Sequence, residues 1–169
     1  MTIVDLRTVR LAPGEQFRDT RAVDLDALEL GGQRYTPQPD SPDATLTLTR
    51  MTSGLMLELS FEARLVGPCF RCLAETEVTT PISGREYQAS GPTADEELRT
   101  PYVADERVDL SGWARDAVVL SLPEKILCRP ECAGLCPVCG EDLNLAPHEH
   151  DAEVGDPRWA ALADLKERL

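Results

Sequence analysis

Hydrophobic and polar residues alternate along residues 55–65, which read LMLELSFEARL. Apolar positions recur in steps of two from Leu55 to Leu65, and charged residues such as Glu58 and Arg64 fall between them. Successive side chains of a β-strand point to opposite faces of a sheet, so this period places one face in a core and the other in solvent. The pattern predicts a half-buried strand.

Two weaker extended patterns flank this strand. Residues 44–51 alternate less regularly, and the Thr-Ser-Gly sequence at 52–54 is typical of a hairpin turn. Residues 75–87 form a further extended segment. We therefore predict a meander of three antiparallel strands, with the Cys-Phe-Arg-Cys sequence at 69–72 in its second turn.

Residues 1–30 add apolar positions that fit one or two more strands, or a strand and a short helix. These positions are Val4, Leu6, Val9, Leu11, Val23, Leu25 and Leu28. Residues 38–43 are rich in proline and aspartate and predict a loop. The N-terminal part of the chain is therefore expected to extend the same core.

Helical spacing occurs at two places near the C-terminus. Apolar residues recur at three- and four-residue steps through residues 110–121, with Asp109 or Ser111 as the N-cap and Pro123 as the stop. Asp156 and Pro157 then begin a second predicted helix. Its apolar stripe comprises Trp159, Leu162, Leu165 and Leu169.

The domain organisation follows from these elements. Residues 1–126 form a mainly β domain, which includes an acidic linker at 89–109 and a helix at about 110–122, and residues 127–169 form a Cys-rich zinc module with the C-terminal helix. The predicted fold class is α+β: an antiparallel β-sheet meander packed by two short helices, with a Cys-rich zinc-binding segment.

Charge narrows the range of partners. Thirty acidic residues against seventeen basic ones give the chain of 169 residues a net charge of -13. Phosphate binding requires clustered Lys and Arg, so bulk attraction to nucleic acid or anionic lipid is disfavoured and a basic protein partner is favoured. No apolar run is long enough to span a membrane, and we expect a cytoplasmic protein. In that reducing compartment, cysteines indicate metal binding or catalysis more than disulfides.

Four of the six cysteines fall within residues 127–140, LCRPECAGLCPVCG. They are Cys128, Cys132, Cys136 and Cys139, and the first pair is Cys69 and Cys72. The CPVCG sequence is typical of a zinc knuckle, in which proline stiffens the turn and glycine permits its tight backbone. Both histidines of the chain, His148 and His150, follow at a spacing that sets their rings on one side of an extended segment.

The spacing leaves two ligand pairings open, with one or two Zn²⁺ ions. In the first pairing, one site has Cys136, Cys139, His148 and His150, and the other has Cys69, Cys72, Cys128 and Cys132. In the second, Cys128, Cys132, Cys136 and Cys139 form one compact site, and Cys69 and Cys72 stay reduced or bind separately.

A metal ion in this segment is expected to be structural. Residues 127–156 contain few apolar residues and could not order themselves by burial. Structural zinc contributes on the order of 10 kcal/mol to such modules. A catalytic zinc would need an open position and a general base, and the only candidate next to the predicted ligands is Glu149, outside any helical HExxH motif.

Several motifs together resemble the YceD family, a bacterial family with a plastid relative that is associated with accumulation of large-subunit ribosomal RNA. They are CFRCL at 69–73, VLSLPE at 119–124, LCRPECAGLCPVCGEDLN at 127–144 and DPRWAAL at 156–162. Many members close the cysteine run with a Cys-x-Cys pair that aligns with His148 and His150, which keeps donor atoms at the same spacing. Some members have only the first pair.

The resemblance implies a non-enzymatic factor that supports synthesis, processing or stability of large-subunit ribosomal RNA. It also implies a small basic ribosomal protein or the ribosomal precursor particle as partner, with any RNA contact indirect, and it implies no membrane and no small-molecule substrate. Such a partner fits the negative charge.

Two other functions remain open from the residues. A thiol-disulfide oxidoreductase would use Cys69 as nucleophile, Cys72 as resolving thiol and Arg71 to lower a thiol pKa. Such a pair is expected at a helix N-terminus, whereas this one lies between strands. A zinc ribbon could serve a different interaction, but residues 127–156 carry Arg129 as their single basic side chain, which disfavours phosphate contacts.

Overall fold

A computed structural model describes residues 1–91 and 98–150. Nine β-strands and one α-helix are present in these ranges. The strands are β1 (Ile3–Asp5), β2 (Gln16–Ala22), β3 (Leu28–Leu30), β4 (Gln33–Pro37), β5 (Asp43–Arg50), β6 (Gly54–Pro68), β7 (Glu75–Ala89), β8 (Val103–Ala104) and β9 (Arg107–Asp109), and the helix is α1 (Leu110–Ser121). A 3₁₀ turn, Leu6–Thr8, follows β1.

The central strand of the larger sheet is β6. It pairs antiparallel with β7 along all fifteen of its residues, and its other edge is shared by β5 and, further along, β4. β2 adds to β5 and β3 adds to β4. The predicted meander of β5, β6 and β7 is confirmed, and the alternation in β6 buries Leu57, Leu59 and Leu65.

A second, smaller sheet consists of β1, β9 and β8. Ile3 pairs with Asp109 and Asp5 with Arg107, so the start of the chain is joined to a distant segment. Residues 98–109, part of the segment expected to be an acidic linker, therefore contain two short strands. Val108 is fully buried there, and this burial anchors the segment despite its acidic surroundings.

Helix α1 begins at the predicted N-cap and packs on β7. The Asp109 carboxylate accepts a hydrogen bond from the Gly112 amide at 2.9 Å, which satisfies one free donor at the helix start. The Trp113 ring is 2% exposed and lies against Gly84 of β7, where a Cβ would come within 3.0 Å of its indole nitrogen. The second predicted helix lies outside the described residues.

Strand β4 fixes the end of β6 from which the first cysteine pair projects. The Tyr35 hydroxyl donates to the Pro68 carbonyl at 2.7 Å, next to Cys69. The Tyr35 ring lies so close to Gly67 that a Cβ there would meet it at 2.4 Å. Glycine at position 67 thus allows the ring to pack flat against the strand. In the described part of the chain, no helix has the length and apolarity needed to cross a bilayer.

Candidate metal centres

The first cysteine pair lies in the turn between β6 and β7. The Cys69 amide donates to the Ala74 carbonyl at 2.7 Å, and the Leu73 amide donates back to the Cys69 carbonyl at 3.0 Å. Leu73 has a φ of 62°, a left-handed conformation that favours glycine. The turn is therefore tightly closed, and both thiols point away from the hairpin ladder toward residues 126–135.

The second pair folds in the same way. The Cys136 amide donates to the Glu141 carbonyl at 2.8 Å, and the Gly140 amide donates to the Cys136 carbonyl at 2.9 Å. Gly140 has a φ of 78°, and Leu135 and Asp142 form a bridge at the open end of the turn. The two Cys-x-x-Cys turns thus share one hydrogen-bond pattern, although one has leucine and the other glycine at the strained position.

Four cysteines form the first cluster. The sulfur atoms of Cys69, Cys72, Cys128 and Cys132 lie within 4.8 Å of one another. Cys69 and Cys132 are 3.8 Å apart and Cys72 and Cys128 are 3.7 Å apart, well beyond the S–S bond length of about 2.05 Å. Tetrahedral zinc with Zn–S bonds of about 2.3 Å requires sulfur atoms about 3.8 Å apart, so the donor set fits this ion.

The first cluster is mostly buried, and the surroundings of Cys69 favour its thiolate form. Cys69 and Cys132 are fully buried, and Cys128 is exposed. Burial opposes a charge on Cys69, but backbone amides, including that of Cys128 at 3.3 Å, donate to its sulfur and lower its pKa to about 6. Amide donors of this kind stabilise the thiolate form that binds metals. Desolvation acts the other way at Cys128 and raises the pKa of that thiol to about 12.

Two cysteines and two histidines form the second cluster. The donor atoms of Cys136, Cys139, His148 and His150 lie within 4.8 Å of one another. The Nδ1–H of His148 donates to the Ala146 carbonyl at 2.7 Å, which leaves the lone pair of Nε2 facing the cluster, 3.1 Å from the Cys139 sulfur. A histidine held by its second nitrogen in this way is typical of metal ligands.

The second cluster is more accessible than the first. Cys136 is buried, but Cys139 and His150 are exposed and His148 is half-buried. Amides of the turn, first that of Cys139, donate to the Cys136 sulfur and lower its pKa to about 6. The hydrogen bond to Ala146 raises the pKa of His148. These four residues offer two sulfur and two nitrogen donors, a common set for structural zinc.

All eight residues that the sequence analysis selected as ligands are brought together in these two groups. The grouping is the first of the two pairings considered above. Cys128 and Cys132 group with Cys69 and Cys72, whereas Cys136 and Cys139 group with the two histidines. The geometry can hold a metal ion in each group.

One supporting residue was not identified from the sequence. The Asn144 side chain accepts from the Ala133 amide at 2.9 Å and from Arg129 at 2.6 Å, and its Nδ2 donates toward the Cys132 sulfur at 3.6 Å. Asn144 closes the LCPVCGEDLN motif, but spacing alone does not reveal a role that depends on side-chain contacts.

The contacts of Arg71 differ from the role that the oxidoreductase alternative gave it, which was to lower a thiol pKa. Its guanidinium donates to the Cys132 carbonyl at 2.7 Å, and its own carbonyl accepts from the Leu135 amide at 3.2 Å. The side chain therefore holds the two cysteine-bearing segments together. The low pKa of Cys69 has backbone amides as its source instead of this charge.

Comparisons with known proteins find one matching family and several relatives. The model of one family, described as large ribosomal RNA subunit accumulation protein YceD, matches residues 57–166. An uncharacterized protein of Mycobacterium tuberculosis is 36% identical over 128 residues, which are 73% of this chain and 61% of that protein. The chain thus spans less than two thirds of that relative's length.

Two more distant relatives also match. The uncharacterized protein YlbN of Bacillus subtilis is 29% identical over 114 residues, which are 64% of this chain and 66% of that protein. A maize protein named large ribosomal RNA subunit accumulation protein YCED homolog 1, chloroplastic, is 40% identical over 50 residues, which are 30% of this chain and 17% of that protein. No solved structure matches the chain.

Proposed function

This chain belongs to the YceD family, and from that membership we propose that it is a non-enzymatic factor in large ribosomal subunit biogenesis. It supports synthesis, processing or stability of large-subunit ribosomal RNA, and it does so in the cytoplasm. The observation that carries this proposal is the family match over residues 57–166, a range that includes both cysteine clusters.

The proposal assigns Zn²⁺ to both clusters as a structural ion. Sulfur and imidazole donors in groups of four suit zinc better than Mg²⁺ or Ca²⁺, which prefer oxygen ligands. The sulfur spacing in the first cluster supports this assignment. Bound zinc would supply folding energy to a segment with little apolar surface and would leave no coordination position for a reacting water.

Several features support a function without catalysis. In a thiol oxidoreductase the attacking sulfur must reach a substrate disulfide, whereas Cys69 is fully buried and its sulfur lies within 4.8 Å of those of Cys128 and Cys132. Its turn joins two strands instead of beginning a helix. A metal ion held by the four sulfur atoms would also bind the Cys69 sulfur and so prevent it from acting as a nucleophile.

A basic ribosomal protein, or the ribosomal precursor particle that carries it, is the proposed partner. The net charge of -13 favours association with a cation and disfavours direct contact with RNA phosphates. Arg129, the basic residue of the cysteine-rich segment, is engaged with Asn144. The effect on ribosomal RNA would therefore be indirect, through protection or placement of a cationic protein.

The function is tested by depleting the protein in cells that encode it. We expect the ratio of large-subunit to small-subunit ribosomal RNA to fall and precursor particles of the large subunit to accumulate in sucrose gradients. Re-expression of the wild-type chain restores the ratio, and the Cys69→Ser/Cys72→Ser variant does not. An unchanged ratio after complete depletion would refute the proposed role.

The partner is tested with purified components. We expect the zinc-loaded protein to bind basic ribosomal proteins of the large subunit, with affinity that falls as salt rises, and to bind precursor RNA weakly. Tight, strongly salt-dependent binding to naked RNA without affinity for any ribosomal protein would contradict the indirect mechanism.

A further inference from the structure

The two clusters differ in how far solvent reaches their cysteines. In the first cluster, Cys69 and Cys132 are 0% exposed and Cys72 is 8% exposed. In the second cluster, Cys136 is 5% exposed, but Cys139 lies at the surface. Cysteines that react with solutes need such access to solvent, whereas buried ones are inert. An oxidant dissolved in water therefore meets the second cluster at Cys139.

Cys128 is the exposed member of the first cluster, but its surroundings oppose a disulfide. Its sulfur lies 3.7 Å from that of Cys72, which is buried and belongs to the β6–β7 turn. An S–S bond of about 2.05 Å would require that turn and the segment after α1 to move together. The two are already fixed to each other, because the Phe70 amide donates to the Ile126 carbonyl at 2.8 Å. Packing thus protects this cluster, although its four thiolates make it the more negative of the two.

The two cysteines of the second cluster belong to a single tight turn. The Gly140 amide donates to the Cys136 carbonyl at 2.9 Å, and the sulfur atoms of Cys136 and Cys139 lie within 4.8 Å of each other. Thiol oxidoreductases form their disulfides across this same Cys-x-x-Cys spacing. Closing a bond here therefore moves two side chains of one turn and needs no movement of one chain segment against another.

The other donors of the second cluster are too few to keep the ion without the sulfur atoms. His148 and His150 supply two nitrogen atoms, whereas zinc sites in proteins use three or four protein ligands. His150 is exposed and His148 is half-buried, so water would compete for an ion that they held alone. Joining the two sulfur atoms in a disulfide would therefore release the ion.

Two carboxylates determine which oxidants suit the site. The Glu141 carboxylate lies 3.8 Å from Nδ1 of His148, and Glu149, which is exposed, stands between the two histidines in the chain. Their negative charge disfavours the approach of anionic oxidants such as superoxide. Hydrogen peroxide is small and uncharged, so these carboxylates do not repel it. A neutral peroxide is therefore the class of oxidant that fits the site.

We propose that Cys136 and Cys139 form an oxidation-sensitive zinc site, in which hydrogen peroxide converts the two thiolates to a disulfide and releases the ion of the second cluster, while the first cluster keeps its own. The inference rests on the zinc assignment in the proposed function and goes beyond it, because a role in ribosome biogenesis implies no response to an oxidant. Reduction by a thiol reverses the step, so zinc content would follow the redox state of the surroundings.

The reaction is a two-electron oxidation of sulfur. The Cys139 thiolate attacks one oxygen of the peroxide, so that an S–O bond forms, the O–O bond breaks and hydroxide leaves. The Cys136 thiolate then attacks the Cys139 sulfur, so that the S–S bond forms, the S–O bond breaks and a second hydroxide leaves. Two electrons pass from sulfur to oxygen, and both hydroxides take protons from the solvent.

The test treats the zinc-loaded full chain with hydrogen peroxide and measures the zinc that is released with a chromogenic chelator. Elemental analysis gives the zinc content beforehand, and a sample without peroxide shows what the chelator removes by itself. We expect loss of one of the two bound ions. After free thiols are alkylated, peptide mapping without reductant should show a Cys136–Cys139 disulfide, and reduction with excess zinc should restore the second ion.

A variant separates oxidation from simple loss of metal. Cys139→His keeps a zinc donor at position 139 but cannot form the disulfide, so it should bind two ions and release neither with peroxide. Glu149→Gln is the matched control, because it changes a neighbouring charge and no donor atom, and it should release one ion as the wild type does. If Cys139→His binds a single ion, the disulfide map of the wild type decides the question.

Four results would overturn the inference. The first is retention of both ions after peroxide treatment, which would leave the zinc assignment intact. The second is a disulfide that involves Cys128 or another cysteine of the first cluster, and the third is equal zinc release from the wild type and from a Cys139→His variant loaded with two ions. The fourth is a chain without zinc before treatment, which would refute the zinc assignment of the proposed function as well.

Discussion

At the scale of single residues, side chains that are not ligand candidates support both the first cluster and the turn that leads to it. Asn144 joins Arg129, Ala133 and the Cys132 sulfur in one network, and Tyr35 holds the carbonyl before Cys69. The eight ligand candidates could be found from the sequence because sulfur and imidazole donors have recognisable spacings. The supporting residues could not, because asparagine and tyrosine have many uses and only contacts distinguish them.

Asn144→Ala should lower zinc affinity at the first cluster about 10- to 100-fold, the usual effect of removing a partner that supports a ligand. The reason is loss of the Nδ2–H donor to Cys132 and of the acceptor for Ala133. Competition with a chromogenic chelator would measure it. The second cluster provides the internal control, and equal weakening of both sites would count against this role.

Two single substitutions should separate the clusters. Cys69→Ser is expected to reduce bound zinc from two ions to one per chain, and Cys139→Ser should do the same by removing the other ion. Elemental analysis gives the stoichiometry, and cobalt substitution identifies the remaining site, because four-sulfur and two-sulfur two-nitrogen sites absorb differently. Loss of both ions in either variant would show that the sites are not independent.

At the scale of elements, the two Cys-x-x-Cys turns adopt the same backbone conformation with different residues at its left-handed position. Leu73 and Gly140 occupy the same position after the second cysteine, and both have positive φ. The strands of the meander could be predicted from the sequence because period-two alternation is a local signal. The small sheet of β1, β8 and β9 did not, because pairing of Ile3 with Asp109 joins segments far apart in the chain and each strand has at most three residues.

Gly140→Ala should weaken zinc binding at the second cluster about 5- to 30-fold, since a left-handed conformation costs about 1–2 kcal/mol in a residue with a Cβ. Gly14→Ala is the matched control. Gly14 has a φ of 89°, nothing lies within 4 Å of its would-be Cβ, and it is remote in sequence from every ligand. The control should lower the free energy of unfolding without changing zinc affinity; zinc affinity unchanged in both variants would refute the prediction.

At the scale of the whole molecule, the chain contains two kinds of interior. The sheet and α1 share a large aliphatic core that includes Leu46, Leu57 and Trp113. A separate buried group consists of Cys69, Cys72 and Cys132 of the first cluster, with Leu127 and Leu135 packed against them. The cysteine-rich segment has few apolar residues, as its sequence shows. It therefore has a separate interior built around cysteines and does not extend the large core.

Chelation should therefore unfold the molecule in part. With zinc removed, amides of residues 128–146 are expected to exchange with solvent rapidly, while amides of β5, β6 and β7 stay protected by their aliphatic core. Hydrogen-exchange mass spectrometry before and after treatment with a strong chelator would show this. Protection of 128–146 that survives complete removal of metal would contradict a structural role for the ion.

The first cluster takes two ligand candidates from the β6–β7 turn and two from the segment after α1, and Cys72 and Cys128 are 56 positions apart. A metal ion held there would be a reversible cross-link that closes a loop of the chain, and this loop contains β7, β8, β9 and α1. Closing that loop reduces the freedom of the unfolded polypeptide, and opening it restores that freedom. Supply of the metal would thereby govern how firmly the helix stays docked on β7.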